Sequence, residues 1–321
     1  MNISVVIPLY NEDESLPPLI EWIHKVMMEN QFTYEVVFVD DGSRDKSWSV
    51  IEALAQDYPA VRGIRFQRNY GKSAALQKGF EAAEGEVIIT MDADLQDSPD
   101  EIPELYRLIV EEGYDLISGW KKKRYDPISK TIPSKFFNYI TRVVSGIKLN
   151  DFNCGLKSYR KDVVKAIEVY GEMHRYVPLL AKWAGFDNIG EKEVEHRARQ
   201  YGKSKFGLNR FINGFLDLIS IVVVQKYLKK PMHFFGAWGM VFTLIGAADL
   251  LYLAAVKILD GELGNRLPAI AFGSVMFISG ILLFSTGLLA ELIGRNSPYK
   301  NQYTIKERLE NGETFAEKVP G

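Results

Sequence analysis

Asp92, Asp94 and Gln96 alternate with small or apolar residues in the run Asp92-Ala93-Asp94-Leu95-Gln96. Where a chain leaves the pleat at a strand end, side chains so spaced can turn toward one point. Two carboxylates and an amide oxygen suit a hard cation, Mg²⁺ or Mn²⁺, whose other ligands come from substrate phosphates. An isolated Asp-x-Asp is also an ordinary solvated turn, so the neighbours matter. Two more polar clusters close apolar runs: Pro8-Leu9-Tyr10-Asn11-Glu12 and Asp40-Asp41-Gly42-Ser43. Carboxylates gathered this way repel a diphosphate unless a cation intervenes. Further positive charge comes from Lys121-Lys122-Lys123-Arg124, ahead of an amphipathic helix Lys135–Ser145, and from Lys203 and Lys205 beside Gly202 and Gly207. The first run suits a lipid headgroup and the second a mobile clamp; a solvated loop and a surface turn are the plain alternatives. No glycine-rich dinucleotide fingerprint and no phosphate loop follow the first apolar run, which argues against a dehydrogenase and a P-loop enzyme. The four histidines share no ligand spacing, and the single cysteine, Cys154, excludes an internal disulfide framework.

These clusters need strands to end beside one another. Ile3–Leu9, Glu35–Val39, Val61–Phe66, Glu86–Met91 and Asp115–Ser118 read as short apolar strands. Between them Glu14–Glu29, Ser47–Asp57 and Ser73–Ala83 have helical spacing. Alternation of this kind predicts an α/β fold with a mostly parallel sheet, covered on both faces, and a ligand beyond the carboxyl ends of the strands.

The second part of the chain differs. Gly236–Ile258 and Pro268–Ile293 are almost free of charge and long enough to cross a bilayer, which takes about 20 helical residues. Basic residues flank the pair on the outside, while the short linker carries Asp260, Glu262 and Arg266. The positive-inside rule then puts both flanks and the N-terminal domain in the cytoplasm and the linker outside, an inner (plasma) membrane protein. The expected domains are 1–209 catalytic, 210–232 a juxtamembrane interfacial helix, 233–295 two membrane helices and 296–321 a cytoplasmic tail. Asp249, inside the first span, fits a helix contact in a homo-oligomer or a substrate path. A net charge of −2 over 321 residues excludes a polycation that holds nucleic acid by charge alone.

Taken together, Val6-Ile7-Pro8 with Tyr10-Asn11-Glu12, Val39-Asp40-Asp41-Gly42-Ser43, Asn69-Tyr70-Gly71-Lys72 and Asp92-Ala93-Asp94-Leu95-Gln96 resemble the family 2 glycosyltransferases of GT-A fold. More narrowly, the chain resembles polyprenyl-phosphate glycosyltransferases: bactoprenol glucosyltransferases, dolichol-phosphate mannose synthases and aminoarabinose transferases. The resemblance implies that Pro8, Tyr10 and Glu12 border the nucleoside, that Asp41 with Asp40 meets the base, and that Lys72 lies near the donor. It implies that Asp94 and Gln96 bind the metal with support from Asp92, and that Arg124 and Ser134 contact the acceptor phosphate. By the same resemblance Asp151-Phe152-Asn153-Cys154-Gly155 matches the position of the family's acceptor loop. Arg199, Ser204 and Lys205 match a loop that closes over the diphosphate, and His174-Arg175-Tyr176 flanks the donor sugar.

The expected reaction is an inverting, metal-dependent transfer of a hexose, with UDP-glucose as the foremost donor, to polyprenyl (undecaprenyl) phosphate. Asp92, Asp94 and Asp151 are its candidate catalytic residues; Asp151 accepts a proton, orients the acceptor or touches the metal. GDP-mannose and UDP-N-acetylglucosamine are alternative donors. A processive synthase lacks support, because no Gln-x-x-Arg-Trp motif is present. A non-catalytic scaffold or flippase component is the alternative of a different class.

Overall fold

The computed structural model describes residues 1–122, 138–143, 145–171, 173–197, 231–261, 266–295, 307–310 and 313–316. Arg124, Ser134, Arg199, Ser204, Lys205 and the expected interfacial segment up to residue 230 lie outside the described residues. The chain forms two compact units, one built on a large sheet and one on two apolar helices.

The sheet takes seven strands: β1 (Ile3–Leu9), β2 (Tyr34–Asp40), β3 (Val61–Arg65), β4 (Val87–Thr90), β5 (Leu116–Trp120), β6 (Lys157–Arg160) and β7 (Ile189–Glu193). Their order is β3-β2-β1-β4-β6-β5-β7. β1 is buried along its whole length, as a central parallel strand covered on both faces must be. Ile3, Val5, Ile7 and Leu9 face one core, shared with α1 (Leu16–Glu29), α2 (Ser47–Asp57) and α4 (Ile102–Val110). Val6 faces the other, beneath α3 (Lys72–Ala82) and the helices Lys161–Ala166 and Val177–Trp183. α1 begins with prolines in its first turn, where their missing N–H groups cost nothing, and buries Leu16, Leu19, Ile20, Ile23, Val26 and Met27. Each such side chain contributes about 1.5–3 kcal/mol.

The first five expected strands all form. The structure adds β6, which the sequence pattern did not indicate and which runs antiparallel to both neighbours. Its first residue, Lys157, pairs with Thr90, the last residue of β4. That reversal delivers the loop 151–156 to the carboxyl edge of the sheet, beside Asp92.

In the other unit a short π-helical turn, Met232–Gly236, leads into the helix Ala237–Asp260, and Leu267–Arg295 forms the second helix. Both are long and apolar enough to span a membrane. They pack through glycines seven residues apart: Gly239 and Gly246 on one, Gly273 and Gly280 on the other. A Cβ added at Gly239 would come within 2.8 Å of Gly280 O, and one at Gly246 within 2.7 Å of Gly273 O. Backbones this close are the usual way for apolar helices to gain contact without a hydrophobic driving force. Asp249 faces Gly273 across the same seam, with its Oδ2 buried.

Candidate active site

Beyond the end of β4, Ala93 and Leu95 are buried, whereas Asp92, Asp94 and Gln96 are partly exposed. The alternation leaves the three polar side chains at the open edge. Leu95 holds φ +60°, a left-handed conformation that costs a non-glycine residue about 1–2 kcal/mol and here redirects the chain. Asp94 Oδ1 accepts the Gln96 N–H at 3.2 Å, and the Gln96 amide nitrogen donates to Arg197 O at 3.4 Å.

Asp92 forms an ion pair with Lys72, the first residue of α3. Burial alone would raise the Asp92 pKa, but Lys72, then Lys121 and Lys157, pull it down to about 2. The carboxylate is therefore ionised at any physiological pH. Gly155 allows this packing, because a Cβ there would lie 2.6 Å from Asp92 Cγ.

Lys121 corrects the sequence reading. It was expected to face a lipid headgroup with the rest of its basic run. Instead its Nζ sits 2.6 Å from Oδ1 of Asp97, a fully buried carboxylate. Burial opposes the Lys121 charge, but the Asp97 carboxylate outweighs that and raises its pKa. Asp97 in turn accepts the Asp92 N–H at 3.5 Å and forms a β-bridge to His196. The pair thus props the Asp92–Gln96 turn from below. Lys122 pairs with Glu193 at 3.0 Å on the surface.

The expected nucleoside residues gather at the ends of β1 and β2. Pro8 lies in β1 opposite Val39, and Tyr10 and Glu12 are half-buried in the loop that follows. That loop is held to the next: Asn11 N–H donates to Ser43 Oγ at 2.9 Å and Glu12 N–H to Ser47 Oγ at 3.0 Å. Asp40 is buried and accepts the Ser43 N–H at 2.8 Å. Asp41 accepts the Tyr70 and Gly71 N–H groups at 2.6 and 2.9 Å, which fixes the approach to Lys72. Burial raises the Asp41 pKa despite those two bonds. Gly42, at φ +70°, is required because the Arg68 and Asn69 backbone passes within 3 Å of where a Cβ would stand.

On the β6 side, Asp151 is 1% exposed and its Oδ1 accepts the Asn153 N–H at 3.0 Å. Glu191 accepts the Asp151 N–H at 2.9 Å, and burial raises its pKa. Burial likewise pushes the Cys154 thiol up to about 12, so it is no nucleophile. Between the ends of β1, β4 and β6 and the start of α3 opens a cleft lined by Lys72, Asp92, Asn153, Lys157, His174 and Arg175, among others. His174 reaches it through Ser73, whose Oγ accepts the His174 N–H at 3.0 Å.

Sequence reasoning missed Lys157 and the Lys121–Asp97 pair. The signal for Lys157 was a single charge in the otherwise apolar Cys154-Gly155-Leu156-Lys157, which reads equally well as a surface loop.

Among the described residues no cluster of three His, Cys, Asp or Glu side chains forms a ready-made metal cage. The donor set at the β4 end nevertheless fits a hard cation, since Asp92 is charged and Asp94 and Gln96 add oxygens on the same edge. Two carboxylates with substrate phosphates completing the shell is the arrangement Mg²⁺ prefers.

Residues 4–168 match the model of glycosyl transferase family 2. The chain belongs to that family. This family 2 glycosyltransferase is 37% identical over 299 residues to a dodecaprenyl-phosphate galacturonate synthase of Rhizobium johnstonii, covering 92% of this chain and 88% of that one. It is 35% identical over 297 residues to an undecaprenyl-phosphate 4-deoxy-4-formamido-L-arabinose transferase of Pseudomonas aeruginosa, covering 91% of this chain and 85% of that one. Among solved structures, a glucosyl-3-phosphoglycerate synthase of Mycobacterium tuberculosis matches with a TM-score of 0.53 at 20% identity, over 70% of this chain and 79% of that one. The shared fold is GT-A, as the strand-end motifs implied.

Proposed function

We propose that this glycosyltransferase moves a sugar from a nucleoside diphosphate donor to polyprenyl phosphate at the cytoplasmic face of the inner membrane, with inversion at the anomeric carbon. The observation that carries this reading is the placement of Asp92, Asp94 and Gln96 together at a strand edge, in a chain that also bears two apolar helices of spanning length. The relatives named above support the lipid acceptor, because both are named for polyprenyl phosphates and align over more than 90% of this chain. They are named for different sugars, and neither is named for glucose.

A bound Mg²⁺ or Mn²⁺ would supply positive charge to the departing diphosphate, where charge builds in the transition state. The chain's own residues do the rest. Asp94 and Gln96, supported by Asp92, would hold that ion at the diphosphate end. Pro8, Tyr10, Glu12, Asp40 and Asp41 border the nucleoside, and Lys72 orients Asp92. A phosphate monoester has its second pKa near 6, so the acceptor oxygen is already ionised at neutral pH and needs no strong base. Asp151 then acts by holding the acceptor loop, which its buried hydrogen bond to Asn153 suits better than proton transfer. Arg124 and Ser134 for the acceptor phosphate, and Arg199, Ser204 and Lys205 over the diphosphate, complete the proposal from sequence resemblance.

The test is a donor screen with the full chain in detergent, polyprenyl phosphate and Mg²⁺, scoring lipid-linked sugar. UDP-glucose, GDP-mannose and UDP-N-acetylglucosamine form its first arm. Formation of a lipid-linked product with at least one sugar nucleotide is expected; donor hydrolysis without such a product would refute the acceptor assignment.

A further inference from the structure

Lys121 and Asp97 form a buried ion pair that takes no direct part in the transfer. Lys121 follows the end of β5, and Asp97 closes the turn that carries Asp92, Asp94 and Gln96. The Asp97 side chain is 0% exposed and that of Lys121 13%, with Nζ 2.6 Å from Oδ1. Such a pair adds little stability, because desolvation of both ions offsets most of their attraction. Removing one partner is costly, because the carboxylate left behind is buried without compensation. The value of the pair therefore lies in what it holds in place.

It ties the two ends of the turn together. Asp97 Oδ2 accepts the Asp92 N–H at 3.5 Å, across the run that presents Asp94 and Gln96. Between them Leu95 keeps φ +60°, a conformation that the surroundings must enforce. The far side of the turn is pinned as well. The Arg197 N–H donates to Gln96 O at 3.0 Å, the Gln96 amide nitrogen donates to Arg197 O at 3.4 Å, and Asp97 forms a β-bridge with His196. With its nitrogen on that carbonyl, Gln96 keeps its side-chain oxygen for a cation. Ala93, Leu95 and Ser98 are buried along with Asp97. An Asp97 carboxylate deprived of Lys121 would reach water by moving outward, and the turn bonded to it would move too.

Resting on the cation reading above, we infer that Lys121 and Asp97 are positioning residues of the cation site: Lys121 neutralises Asp97, and Asp97 holds the Asp92–Gln96 turn in the shape that gathers its oxygens on one ion. By sequence Lys121 belongs to a basic run that suits a lipid headgroup; in the fold its charge is turned inward. Groups that orient the ligands of a metal typically change its affinity by about 10–100-fold when they are lost.

The experiment measures Mn²⁺ binding to the detergent-solubilised full chain by electron paramagnetic resonance, with UDP present and, in a second arm, GDP. The melting temperature and the KM for polyprenyl phosphate are measured beside it. Well below its melting temperature, Lys121→Gln should raise the Mn²⁺ dissociation constant about tenfold or more, with the lipid KM unchanged. Lys121→Arg should keep most of the wild-type affinity. Adding Asp97→Asn to Lys121→Gln should recover part of the loss, because the unpaired buried charge is then removed. Where Lys121→Gln fails to fold, Asp97→Asn, which preserves the outline of the turn, should show the same weakening. A folded Lys121→Gln or Asp97→Asn protein that binds Mn²⁺ as wild type does overturns the inference, and failure of both to fold does so by making the pair a stability element alone. A raised lipid KM with unaltered Mn²⁺ affinity also overturns it and returns Lys121 to the acceptor phosphate. Wild-type protein that binds no Mn²⁺ with either nucleotide would instead refute the cation reading on which the inference rests.

Discussion

At the scale of single residues, charge decides more than shape. Asp94→Asn keeps the outline of the side chain and removes a unit of charge from the edge that meets the diphosphate. Transfer should fall by at least a hundredfold while the protein stays folded and membrane-bound, and wild-type activity should vanish in excess chelator and return with Mg²⁺ or Mn²⁺. Full turnover in chelator would remove the cation from the mechanism. A second residue tests the charge logic away from the site. Glu35 is buried in β2, accepts bonds from Ser4 Oγ and the Glu84 N–H at 2.6 and 2.7 Å, and meets Arg62 at 2.6 Å. Burial pushes its pKa up, but these bonds win and lower it. Its stabilising effect is thus fully present above the ordinary carboxylate value of about 4.3 and is lost as pH falls through its lower folded value. Glu35→Ala should cost about 2 kcal/mol at pH 7, a figure held down because Arg62 reaches solvent. Urea unfolding of the full chain in detergent should show that penalty shrinking below pH 4. Asp92, Asp94 and Gln96 were legible in the sequence because they close an apolar run. Lys157 was not, because the cleft that it lines is completed by Lys72, Asp92 and His174, which are remote along the chain.

Elements position these residues through close approaches that few side chains allow. α3 lies on β1 because Gly79 admits Val6 where a Cβ would collide with it. Gly79→Val should therefore push α3 outward, moving Lys72 from Asp92. Overpacking of this kind typically costs 1–3 kcal/mol. The expected readout is a lower melting temperature of the full chain together with a raised KM for the donor; a melting loss with unaltered donor KM would show that α3 does not carry Lys72 into the site. The parallel strands β1, β2 and β4 were legible because strands buried on both faces read as apolar runs rich in Val and Ile. β6 and β7 were not. Lys157-Ser158-Tyr159-Arg160 and Ile189-Gly190-Glu191-Lys192-Glu193 are short and polar, and only their neighbours in the sheet make them strands. The loop 151–155 that β6 brings beside Asp92 was implied by resemblance, but Lys157 and Tyr159, which line the cleft from β6 itself, were hidden with the strand.

For the whole molecule, the two apolar helices are long enough to fix the chain in a membrane. On the topology proposed here both outer flanks are cytoplasmic. Cysteines introduced at Glu262 and Glu313 of intact cells should give external labelling at residue 262 and protection at 313; the reverse pattern would place the sheet domain on the wrong side for a cytoplasmic donor. The glycine seam between the helices carries a consequence for how such a chain enters a bilayer. Asp249 Oδ2 is screened from its surroundings by the backbone at Gly273 on the other helix. A first helix inserting by itself would present that carboxyl to hydrocarbon, at a cost of about 2.5–3.5 kcal/mol near the bilayer centre. The hairpin lifts that penalty only when its second arm is alongside, so a chain cut short between the two helices should anchor more weakly in membrane fractionation than one that carries both.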